Sequence, residues 1–139
     1  MMTKLGRGVG LTIMATSIAL GVGVQAAHAG SNGGISAGSN QSCVIRPNGG
    51  TVACWGYSSA KQSQPPVLSF TQLSSHTGHT CGVRATEMLS CWGSNASGES
   101  TAPAGGFQHV SAGHGFTCAV RTDNTLTCWG ANSAGQIVA

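Results

Sequence analysis

Apolar and polar positions alternate along Phe116-Thr117-Cys118-Ala119-Val120-Arg121, which puts Phe116, Cys118 and Val120 on one face of a strand and Thr117, Ala119 and Arg121 on the other. A polar turn follows, then "LTCWG". The same text stands earlier as "TCGVRATEMLSCWG" at residues 80–93 and "SCVIRPNGGTVACWG" at residues 42–56. Each copy predicts a β-hairpin. In the first, Asn48-Gly49 favours a two-residue type I′ turn; the others centre on Thr86 and Asp123 and suit three-residue loops. Further strands are expected at residues 67–73 and 107–112, after the turn signals Pro65-Pro66 and residues 102–106.

Folding each hairpin about its turn sets Ile45 opposite Val52, Arg84 opposite Met88 and Arg121 opposite Thr125. It also brings Cys43 opposite Cys54, Cys81 opposite Cys91 and Cys118 opposite Cys128. Opposed antiparallel residues have Cα atoms about 4.5 to 5.5 Å apart, inside disulfide range, so these three pairs are the predicted bridges. Each closes a loop of about 10 to 12 residues, for which chain entropy implies roughly 2.7 kcal/mol. The cysteine and tryptophan that end each hairpin are adjacent and face opposite ways. Such a hairpin is half-buried on both faces and needs a neighbour on each side.

Trp55, Trp92 and Trp129 recur at intervals of 37 residues. Cutting after each gives ungapped units 56–92 and 93–129, in which Pro66 matches Pro103, Phe70 matches Phe107 and Arg84 matches Arg121. Residues 30–55 and 130–139 together amount to nearly one further unit, as complementary parts of a split blade would. A 37-residue unit holds about four short strands, the size of a β-propeller blade. The expected fold is therefore all-β, with about three blades of antiparallel strands.

The amino-terminal residues read differently. Lys4 and Arg7 precede a weakly apolar run at residues 9–24, which ends in Ala27-His28-Ala29. That order predicts a secretory signal peptide at residues 1–29, and the run is too short for a membrane span. Beyond it, Arg46, Lys61, Arg84 and Arg121 face Glu87, Glu99 and Asp123, a near-neutral balance with no electrostatic footprint for nucleic acid or anionic membrane. Six cysteines in an exported chain fit a disulfide framework and a secreted, periplasmic or cell-surface protein. Structural zinc on cysteine with His76, His79, His109 or His114 is disfavoured by the wide cysteine spacing, and those histidines read as surface or turn residues.

The runs "HTCGVRATEMLSCWGSNASGE" and "FTCAVRTDNTLTCWGANSAGQ" resemble repeats of the regulator of chromosome condensation family, especially exported bacterial members. Gln41 and Phe116 replace the family histidine, Asn124 replaces the turn glycine, and residues 57–62 lack the Asn and Gly of the N-x-x-G-Q run. The resemblance implies a β-propeller of about seven blades that binds macromolecules and has no catalytic residues. Three blades cannot close a ring, since propellers have typically 4 to 8. The chain is thus expected to be a fragment, an open stack, or a homo-oligomer whose tails complete neighbouring blades.

Function would then lie where the copies differ, in residues 57–64, 94–101 and 132–136. Tyr57, Asn95, Glu99, Asn132 and Gln136 are the candidate binding residues, and a protein or glycan is the expected ligand. A special case is a secreted enzyme inhibitor, since propellers similar to this family include a β-lactamase inhibitory protein. The competing class, a hydrolase, finds no Ser-His-Asp set, no paired carboxylates and no Gly-x-Ser-x-Gly. No catalytic, metal or cofactor residues are expected. Asn40-Gln41-Ser42 and Asn95-Ala96-Ser97 match the glycosylation sequon, which matters only in a glycosylating host.

Overall fold

The computed structural model describes residues 34–138; the expected signal peptide at residues 1–29 lies outside them. Nine strands form three sheets, each antiparallel and in chain order. The first holds β1 (Ile35–Ala37), β2 (Gln41–Ile45) and β3 (Val52–Gly56). The second holds β4 (Phe70–Ser75), β5 (His79–Arg84) and β6 (Leu89–Gly93). The third holds β7 (Phe107–Ala112), β8 (Phe116–Arg121) and β9 (Leu126–Gly130). The described residues contain no helix, and the three sheets are the blades of an unclosed partial propeller.

The hairpins pair in the register that folding about the turns requires. Cys43 faces Cys54, Cys81 faces Cys91 and Cys118 faces Cys128, and all three pairs are disulfide-bonded. Their Cα atoms lie 4.0 to 4.1 Å apart. This is closer than the general antiparallel spacing, as befits the non-hydrogen-bonded positions where strands approach most nearly. The second and third turns are three-residue loops, with Arg84 N–H donating to the Met88 carbonyl and Arg121 N–H to that of Thr125.

Two expectations are corrected. The first turn is not a type I′ turn on Asn48-Gly49: positive φ falls on Gly49 and Gly50, and Arg46 N–H reaches the Thr51 carbonyl across a four-residue loop. A two-residue turn would need an N–H from Pro47 in its closing pair, and proline has none. Each blade also has three strands rather than four. The strand expected at 67–73 begins at Phe70, and residues 57–69 and 94–106 run as turns in which Pro65, Pro66 and Pro103 can donate no ladder bond.

Blades pack face to face. Cys43 and Val52 of the first blade meet Phe70, Leu73 and Trp92 of the second, with Phe70 and Trp92 rings 5.6 Å apart. Cys81 and Val83 of the second meet Phe107, Val110 and Ala119 of the third, with Trp129 alongside. The disulfide face of the first and of the second blade is thus covered by the tryptophan face of the next, which is why the hairpin is apolar on both sides. Polar contacts repeat with the same period: Ser36 Oγ accepts from Ser75 N–H at 2.8 Å, and Ser74 Oγ from Ala112 N–H at 2.9 Å.

Candidate functional site

The loops that follow β3, β6 and β9 share one construction. Each leaves its strand through a glycine with φ near 105° (Gly56, Gly93, Gly130), where an added Cβ would collide with the carbonyl of the residue before its cross-strand partner, Asn40, Gly78 or Gly115. Each then turns through a second left-handed residue, Lys61, Gly98 or Gly135. The residue after it, Gln62, Glu99 or Gln136, folds its side chain back onto the loop: Gln62 Oε1 accepts from Ala60 N–H at 2.8 Å, Glu99 Oε2 from Ser97 N–H at 2.7 Å, and Gln136 Oε1 from Ala134 N–H at 2.8 Å.

These contacts assign structural work to most of the expected binding residues. Asn95 Oδ1 accepts from Ser100 N–H and Asn132 Oδ1 from Ile137 N–H, so both asparagines close their own loops. Glu99 is buried, and its other carboxylate oxygen accepts from Ser94 Oγ at 2.7 Å. Its main-chain carbonyl accepts from both Trp129 Nε1 (2.9 Å) and Thr117 Oγ1 (3.0 Å). Tyr57 alone of the five projects as an exposed aromatic ring.

Between the second and third loops opens a cleft of about 420 Å³, lined by His79, Ser94, Ser97, Glu99, His114 and Gln136 among others. Its polar groups come from four different segments, which is why no local motif announced it. His79 is buried rather than at the surface, because its place on β5 faces the next blade as Gln41 does on β2. Its Nε2 lies 2.8 Å from Thr117 Oγ1. The Thr117 hydroxyl proton is already committed to the Glu99 carbonyl, so His79 is the donor and carries its proton on Nε2.

Burial lowers the His79 pKa, an effect that His76 reinforces and Glu99 partly opposes. Burial pushes Glu99 upward, but the Ser94 hydroxyl, the Ser97 N–H and nearby His79 outweigh it and leave the carboxyl below its usual range. The cleft therefore offers a fixed carboxylate and a neutral imidazole. Among the described residues no group of three His, Cys, Asp or Glu is placed to hold a metal ion. His76 and His114 meet only as rings 6.0 Å apart at the surface.

The fold defines a propeller-type repeat protein stapled by one disulfide per blade. Residues 107–136 match the regulator of chromosome condensation (RCC1) repeat, as the C-W-G text implied. Three solved structures share the architecture. The ectodomain of the Physcomitrella patens receptor kinase CR4 is 31% identical with a TM-score of 0.60, over 69% of this chain and 29% of that one. The CRINKLY WD40 ectodomain of the Arabidopsis thaliana receptor kinase ACR4 is 26% identical with a TM-score of 0.62, over 70% and 42%. Prp20p from Saccharomyces cerevisiae, described with its binding to Gsp1p and histones, is 20% identical with a TM-score of 0.60, over 70% and 30%, and shows the fold alone. The chain thus spans under half the length of these structures. No curated protein matches it in sequence.

Proposed function

We propose that this protein is a non-enzymatic, exported interaction module that takes a protein or glycan on its loop-bearing end. The observation that carries the reading is a polar cleft lined by His79, Ser94 and Glu99 between two internally hydrogen-bonded loops, with Tyr57 exposed on the first loop. Such loops supply pre-organised donors and acceptors at small entropic cost, as recognition surfaces require. The likeness to two receptor ectodomains supports an extracellular setting, as do three disulfides in one small chain. Export through a signal peptide at residues 1–29 belongs to the same proposal, as does an inhibitor that uses these loops.

The bonding within the cleft supports the non-enzymatic reading, because His79 pairs with Thr117 and Ser94 with Glu99 rather than serine with histidine. Glu99 has both carboxylate oxygens occupied by loop donors, and Glu87 and Asp123 sit at hairpin tips, on other turns of the chain. The deciding experiment is a glycan and peptide array probed with the purified chain, beside Tyr57→Ala and Ser97→Lys variants of unchanged thermal stability. Selective binding lost in either variant supports the proposal. Binding unaffected by both variants, or absent from every probe, would overturn it.

A further inference from the structure

We propose that the open face of the first blade docks, head to tail, on the open face of the third blade of a second copy of this chain. The inference stands apart from the loop-binding proposal, because it rests on the blade faces.

The two open faces continue the interface the chain already makes twice. On the head side, Ile35 occupies the place of Leu73 and Val110, yet is 66% exposed where Leu73 is 2% exposed. Trp55 is 53% exposed where Trp92 is 8% exposed. On the tail side, Leu126 occupies the place of Val52 and Leu89 but is 63% exposed, beside a groove of about 340 Å³ lined by Cys118, Val120 and Leu126. Inside the chain, the face equivalent to this groove receives Leu73 and Phe70. Ile35 is the head's counterpart of Leu73.

The polar groups match as well. Trp92 Nε1 donates to the Gln62 carbonyl at 3.0 Å and Trp129 Nε1 to the Glu99 carbonyl at 2.9 Å. By the same 37-residue step, Trp55 is the donor on the head and Gln136 the carbonyl on the tail. Ala37 N–H and Ser111 Oγ likewise stand where Ser75 N–H meets Ser36 Oγ and Ala112 N–H meets Ser74 Oγ. The two faces are complementary to each other and not to themselves, so the contact is heterologous. Two copies joined at both ends would hold six blades, within the usual range of propeller rings.

The test is sedimentation velocity on the purified chain over a wide concentration range, with Trp55→Asp, Leu126→Asp and Trp55→Phe variants checked for an unchanged far-UV circular dichroism spectrum. The wild type is expected to dimerise, the two aspartate variants to be monomeric, and their mixture to form a dimer through the one intact head and the one intact tail. Trp55→Phe, which loses the indole N–H and part of the ring but stays aromatic and apolar, should weaken association by about tenfold. Should an aspartate variant misfold, protection of the Cys118–Cys128 disulfide from reductant should still rise with wild-type concentration. A wild type that stays monomeric would sink the proposal, as would association that survives both aspartate changes or fails to return in the mixture.

Discussion

Trp129 donates its indole N–H to the main-chain carbonyl of Glu99, thirty residues earlier and in the loop that trails the preceding blade. Trp92 does the same to Gln62. These two tryptophans therefore each join two blades rather than filling one. Trp92→Ala should lower stability by about 3–5 kcal/mol, since it opens a cavity against Phe70 and orphans a carbonyl. Trp92→Phe keeps most of the packing and should cost about 1–2 kcal/mol. Urea denaturation followed by circular dichroism separates the two.

The three disulfides should not reduce together. Cys43 and Cys81 are sealed between blades, whereas both partners of Cys118–Cys128 are partly exposed on the third blade's outer face. Under mild reductant at low protein concentration, alkylation and peptide mapping should find Cys118 and Cys128 labelled first. Replacing that pair with serine should cost about 2–4 kcal/mol without unfolding the other two hairpins' bridges.

Stability should fall as the solution is acidified, in two stages. His79 has a lowered folded pKa, so between that value and about 6.5 the unfolded chain binds more protons and stability drops as pH falls. Glu99 is also lowered, so its contribution is full above about 4.5 and is lost as pH falls through its folded value. His79→Gln, which copies Gln41 of the first blade, should abolish the upper stage and leave the lower one. Melting temperatures from about pH 8 to about pH 3, limits that bracket both ordinary pKa ranges, would show it.

Among the described residues, three left-handed ones are not glycine: Lys61 (φ 62°), Glu87 (φ 64°) and Asn124 (φ 67°). Lys61 stands where the other loops have Gly98 and Gly135, and Glu87 and Asn124 hold the same place in their hairpin turns. Lys61→Gly and Glu87→Gly should each stabilise the protein by about 0.5–1 kcal/mol, and Asn124→Gly by less, because asparagine tolerates this conformation. Thermal melts of the single variants give the ranking.

The hairpins, their register and the disulfides were legible because each depends on residues within one turn of chain. Blade stacking was legible one step further, from the opposed faces of adjacent cysteine and tryptophan. The roles of Gln62, Glu99 and Gln136 were not, because a loop that varies around them reads as a recognition surface. Their recurrence at the tryptophan interval was the available signal, and it marked scaffold. His79 was misplaced at the surface for a different reason: burial of a strand residue depends on what packs against the strand, and its partner Thr117 lies 38 residues away.

The acceptor at each joint is a carbonyl of the main chain, so it survives any substitution that preserves the course of the loop. Glutamine serves at one joint and glutamate at the next. The lettering of these loops can therefore drift toward new ligands while the hinge pins of the array remain where they are, which separates the evolution of binding from the maintenance of architecture.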